Sequence, residues 1–253
     1  MKSGKLFEQF LNNFELFPEK NEPSSPITHH QEDMDYSLVT TCKTDKICYL
    51  ILPEGVSKDL NVELQELSER FSLTFVMVEG ANWNDDLTPW PAPGVFKKAK
   101  PFGGQAAAFL TKLCEEIIPK AESELGLAHP QRTLMGVSLS GLFAVWTAFN
   151  TDVFQDFISI SGSLWYDGFA EWVKTQEISP KVENICLLLG EKEKNAKEKR
   201  MATVEEKTAE IAALLKEKCR GKVCFELVEG THFSPVVPRM VKALSAVSVR
   251  IEK

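Results

Sequence analysis

The fold is decided by Leu134-Met135-Gly136-Val137-Ser138-Leu139-Ser140-Gly141-Leu142-Phe143-Ala144-Val145-Trp146. With Thr133, residues up to Val137 form an apolar run of strand length. From Leu139 a mostly apolar stretch continues to Phe149, over a helix length. Small residues cluster around the junction: Gly136, Ser138, Ser140 and Gly141. A buried strand that passes directly into a buried helix belongs in a parallel sheet covered on both faces.

The rest of the chain repeats this alternation. Residues 46–52 read as a buried strand closed by Pro53-Glu54-Gly55, and Leu60, Leu64, Leu67 and Phe71 recur at helical spacing. Residues 72–78 are a second strand. Residues 82–94 carry three prolines and no period, which predicts a loop. Gly103-Gly104 introduces a helix with Phe109, Leu110, Leu113, Ile117 and Ile118 on one stripe and Pro119 near its end. Strands follow at 157–161, 184–189 and 222–228, with helices at 139–149, 201–218 and 235–247. Short right-handed crossovers wind these into one α/β domain, a doubly wound, mostly parallel sheet with helices on both faces. The domain is expected over 36–253, with residues 1–35 as a polar N-terminal arm.

The totals exclude several function classes. The chain has 253 residues, 43% hydrophobic and 26% charged, with a formal net charge of −7. Such a balance argues against a nucleic-acid partner, which needs gathered Lys and Arg. The dense run Glu191-Lys192-Glu193-Lys194 through Arg200 alternates in sign, as on a solvated surface. Residues 1–17 hold no apolar core of a secretory leader, and no run of about twenty apolar residues could span a bilayer. The six cysteines match no zinc spacing and read as reduced core residues. The expectation is a cytoplasmic protein without a membrane partner; the sequence leaves a homo-oligomer open.

Ser138 falls at the carboxyl end of a parallel strand, where ligands gather in such sheets. A strand–serine–helix turn flanked by small residues exposes the seryl oxygen, and the following N–H, that of Leu139, lies at a helix start suited to an oxyanion. The pattern is Gly-Val-Ser-Leu-Ser-Gly, with Ser140 where a second glycine usually stands. A plain helix N-cap is the competing reading of Ser138, and Ser140 is the competing nucleophile. Spacing from Gly136 favours Ser138. A nucleophilic serine needs a base and an orienting acid, in the chain order Ser, acid, His. Of His29, His30, His129 and His232, only His232 follows Ser138. The acid is expected just after the strand at 184–189: Glu191, with Glu193 as the alternative. The second oxyanion N–H is sought at Gly55 or Val56. Trp90, Trp165 and Tyr166 are candidates to line a substrate pocket, or to pack a core beneath the loops.

Several stretches resemble the esterase family of α/β-hydrolases that includes enterochelin (siderophore) esterases and, more distantly, S-formylglutathione hydrolase and mycolyltransferases. They are Asp86-Leu87-Thr88-Pro89, Gly103-Gly104 running on to Glu116-Ile117-Ile118-Pro119, the Gly136–Gly141 turn, Ser161-Gly162-Ser163-Leu164-Trp165-Tyr166-Asp167, and His232-Phe233-Ser234. The resemblance covers roughly residues 47–248 and implies an α/β-hydrolase fold. It also implies cofactor-free hydrolysis of a small-molecule ester, with Ser138 as nucleophile and His232 as base. The arginine usual near the Asp-Leu-Thr-Pro loop is missing, since that neighbourhood reads Ala81-Asn82-Trp83-Asn84. This speaks against an anionic catecholate substrate. Acyl transfer by the same residues, or a silent binding protein on the same fold, are the rival readings.

Overall fold

Residues 36–41, 44–52 and 58–248 are described in a computed structural model. The N-terminal arm, Cys42, Gly55 and Val56 lie outside them.

Seven strands make one sheet in the order β1-β3-β2-β6-β7-β8-β9. They are β1 (Tyr36–Val39), β2 (Lys46–Ile51), β3 (Thr74–Val78), β6 (Gln131–Val137), β7 (Asp156–Ile160), β8 (Asn184–Gly190) and β9 (Lys222–Val228). Only β1 runs antiparallel, against β3. A two-stranded ribbon, β4 (Pro91–Ala92) with β5 (Phe102–Gly103), stands apart from the sheet. The helices are α1 (Lys58–Phe71), α2 (Ala106–Lys112), α3 (Ile118–Leu125), α4 (Leu139–Thr147), α5 (Phe169–Thr175), α6 (Lys199–Ala202), α7 (Val204–Lys218) and α8 (Val237–Ser248). This is the α/β-hydrolase fold, as expected from the sequence.

Successive strand residues point to opposite faces, so each strand feeds two cores. Tyr49, Leu134, Phe157 and Leu187 pack on one face with Phe109 of α2, Phe143 of α4 and Leu215 of α7. Cys48, Met135, Ile158 and Cys186 pack on the other with Leu64 and Leu67 of α1 and Met240 and Leu244 of α8. Phe143, Phe154 and Phe157 are fully buried, and each such side chain contributes about 1.5–3 kcal/mol relative to exposure. Cys48, Cys114, Cys186, Cys219 and Cys224 are free thiols, three of them buried.

Several elements depart from the sequence reading, among them α5, where no helix was expected between residues 161 and 184. β1 is an edge strand of four residues, too short for its alternation to stand out. The ribbon β4–β5 lies in the proline-rich region read as a loop; Thr88 braces that region, its hydroxyl donating to the Asn84 carbonyl (2.8 Å) and accepting from the Gly104 N–H (3.1 Å). The helix carrying Pro119 does not end there. A π-helical turn, Leu113–Ile117, separates α2 from α3, and Pro119 falls in the first turn of α3, where no intrahelical N–H is required. Among the described residues, no helix is long and apolar enough to cross a membrane.

Candidate active site

Register aligns the carboxyl ends of the central strands. Ile51 of β2 is opposite Gly136 of β6, Gly136 is opposite Ser159 of β7, and Ile160 of β7 is opposite Leu188 of β8. The segments leaving β6, β7 and β8 therefore emerge side by side.

Ser138 makes the turn between β6 and α4 with φ 61° and ψ −120°, a left-handed conformation that non-glycine residues rarely adopt and that persists only where neighbours enforce it. Here they do. The Ser138 N–H donates to the Ile160 carbonyl (3.1 Å), and its own carbonyl accepts from the N–H groups of Leu142 (3.1 Å) and Ser163 (3.0 Å). A Cβ at Gly136 would overlap the Ser140 carbonyl, so the first glycine of the motif is needed for close approach. Ser140 is fully buried. Its hydroxyl accepts from the Val137 N–H (2.7 Å) and lies 2.8 Å from the carbonyls of Ile51 and Val137. Ser140 therefore ties strand ends together, and its hydroxyl is engaged by backbone on β2 and β6. Ser138 holds the N-cap position of α4, but its side chain makes no capping bond there. Leu139 opens α4, where the first N–H groups have no intrahelical acceptor.

His232, in the loop between β9 and α8, brings Nε2 to 3.2 Å from Ser138 Oγ and Nδ1 to 2.9 Å from Glu193 Oε2. The three groups form one continuous hydrogen-bonded chain. The imidazole retains 22% side-chain exposure, and the Glu193 side chain only 3%. Glu193 Oε1 accepts from the Gly190 N–H (2.7 Å) and the Ser161 hydroxyl (2.7 Å). Burial opposes ionisation of Glu193, but the bonds from His232, Ser161 and Gly190 outweigh it and hold the carboxyl below its ordinary range.

The expected acid, Glu191, does not meet His232. Beyond Gly190 the chain turns at Glu191-Lys192 while still bonded to the neighbouring segment: the Glu191 N–H donates to Val228 (2.8 Å) and the Lys192 N–H to Gly230 (3.0 Å). The 3-10 segment Glu193–Asn195 follows. Glu191 is consequently exposed and paired with Lys192 (3.6 Å), and the alternative, Glu193, takes the inner position. Gly55 and Val56 lie outside the described residues, so the second oxyanion N–H is unassigned.

The aromatic candidates pack on one another. Trp165 and Tyr166 are buried, and Trp90 is half-buried. Trp90 lies against Tyr166, Phe169 and Trp172, with ring centroids 5.9–6.3 Å apart. Its indole N–H donates to the Asp167 carbonyl (2.9 Å), and the Tyr166 hydroxyl donates to the Trp90 carbonyl (2.5 Å). For Trp165 and Tyr166 the core reading is therefore the one that fits. An arginine does stand against this layer, from α6: Arg200 lies over the Trp165 ring at 5.3 Å, bonded to Asp167 (2.6 Å) and to the Pro93 carbonyl (3.0 Å).

His129 precedes β6, beyond the opposite end of that strand from Ser138. Seven strand residues separate the two ends, roughly 20 Å or more at strand rise. His29 and His30 lie outside the described residues. Sequence reasoning missed Ser161 and Arg239, both buried beside Glu193. Arg239 carried a signal: it shares the apolar stripe of α8 with Met240, Ala243 and Val247.

Comparison with known proteins agrees with this fold. In sequence the chain is similar to the uncharacterized protein YbbA of Bacillus subtilis, 28% identical over 179 residues, covering 68% of this chain and 72% of that protein. In structure it is similar to an IroE-like serine hydrolase from Shewanella oneidensis (TM-score 0.67, 18% identity, 84% of this chain and 74% of that one). It is also similar to the siderophore hydrolase EstB from Aspergillus nidulans (TM-score 0.62, 19% identity, 83% and 90%). Residues 66–233 match the family described as Putative esterase, which takes in the serine turn, the carboxylate and the imidazole, and the chain belongs to that family.

Proposed function

We propose that the protein is a serine esterase that cleaves a small or medium carboxylic ester through an acyl-enzyme. The observation that carries this reading is the hydrogen-bonded chain from Ser138 through His232 to Glu193, at 3.2 and 2.9 Å. A serine hydroxyl is a weak nucleophile until a base accepts its proton, and the base is effective only when its far nitrogen is held. Ser138 Oγ attacks the ester carbonyl as His232 Nε2 takes its proton. Glu193 accepts the Nδ1–H bond and stabilises the imidazolium. The Leu139 N–H, at the positive end of α4, donates to the tetrahedral oxyanion. His232 then protonates the departing alkoxide, and water repeats the sequence on the acyl-enzyme.

The neighbours in structure include proteins named siderophore hydrolases. The arginine that reaches the proline-rich loop, Arg200, is already paired with Asp167, so a neutral ester is the better substrate for this chain. The test is labelling of the native protein with a fluorophosphonate probe beside Ser138→Ala, together with p-nitrophenyl butyrate hydrolysis. Labelling and hydrolysis should both disappear in the variant. Equal labelling of the two proteins would overturn the reading and leave a binding role on the same fold.

A further inference from the structure

The buried cation beside the carboxylate has no part in the reaction just described. Arg239, in the first turn of α8, is 5% exposed. Its Nη1 donates to Ser161 Oγ (2.6 Å) and lies 3.4 Å from Glu193 Oε1, while Nη2 donates to the Thr231 carbonyl (2.8 Å) and reaches that of Glu229 (3.4 Å). Thr231 immediately precedes His232. One planar group thus grips the oxygen of Glu193 that faces away from the imidazole and the backbone that carries the imidazole. Ser161 sits between them at φ 51°, accepting from Arg239 and donating to Glu193 (2.7 Å). The space is matched to this fork: a Cβ on Gly190 would stand 2.9 Å from both Arg239 Nη2 and Glu193 Oε1.

We propose that Arg239 is a positioning residue for the esterase site, its guanidinium locking the Glu193 turn to the His232 loop and so setting the angle at which the imidazole meets Ser138. The inference rests on the serine-esterase reading. A lysine could supply the charge but not the two-armed geometry, because an ammonium is a single point of donation. The charge has its own effect. Arg239 offsets the Glu193 carboxylate, so the imidazole faces a nearly neutral pair. The other charged groups nearby on the adjoining segments, Glu191, Lys192, Lys194, Glu229 and Lys242, are exposed.

The experiment compares the full-length parent, Arg239→Lys, Arg239→Met and Ser138→Ala. It measures kcat and KM for p-nitrophenyl butyrate and fluorophosphonate labelling. For Arg239→Met, kcat should fall about a hundredfold, the loss expected when a reacting group is misplaced by ~1 Å. KM should stay within about twofold. For Arg239→Lys, kcat should fall about tenfold with KM likewise unmoved, since charge is kept and geometry lost. Parental kcat in folded Arg239→Lys overturns the proposal. So does a folded Arg239→Met with parental kcat, or with KM rising as kcat falls. If Arg239→Met does not fold, Arg239→Lys decides alone. A parent protein whose labelling survives Ser138→Ala would instead sink the esterase reading itself, whatever the arginine does.

Discussion

Ser138 and Glu193 stand at the ends of strands two places apart, β6 and β8, and the chain holds them in different ways. The serine is held almost wholly by backbone: its N–H on Ile160, its carbonyl under Leu142 and Ser163, and Gly136 clearing room behind it. The carboxylate is held by side chains from three other segments, Ser161, His232 and Arg239, and by one backbone N–H, that of Gly190. A site pinned by backbone is encoded where it stands. A site pinned by distant side chains is encoded in pieces.

This difference can be broken or sharpened experimentally. Ser138→Ala should produce the largest loss, about 10⁴–10⁶-fold in kcat for ester hydrolysis, as removal of a nucleophile does. Glu193→Gln should cost about 10²–10⁴-fold, because an amide can hold the wrong imidazole tautomer and cannot offset its charge. Glu191→Gln, measured beside it, should stay within about twofold of the parent, as expected of a solvated surface carboxylate; the reverse ranking would restore Glu191 as the acid. Gly136→Ala should lower stability by about 2 kcal/mol or more in urea unfolding, because the new methyl meets backbone that cannot retreat. The smallest effect concerns acid stability. The Glu193 carboxyl lies below 4.5 in the folded chain, so its ionised form adds stability above that pH, and the contribution drains away as pH falls through the folded value. Glu193→Gln should therefore flatten the unfolding curve below about pH 4.5 relative to the parent.

The contrast also explains what could be read from the chain. The β6–Ser138–α4 turn was legible because its determinants are neighbours: an apolar strand, glycine two places before, small residues after. His232 was legible by elimination and by its place after the last strand. Glu193 was not separable from Glu191, since both sit in an alternating charge run. Their two-residue offset is decided by pairing with Val228 and Gly230 across from β8. No local pattern records where that pairing ends. The packing of Trp165 and Tyr166 was not legible for a related reason. The Tyr166 hydroxyl bonds the Trp90 carbonyl, both rings lie against Phe102, and Arg200 covers Trp165, contacts that come from four separate segments.

Ser140 stands where the familiar pentapeptide has glycine, yet its hydroxyl staples β6 to β2 at the rim of the site. Ser140→Gly would improve agreement with the motif while removing that staple. Here, resemblance to a consensus and mechanical soundness pull in opposite directions. A screen that ranks variants by pattern score would promote a looser catalyst.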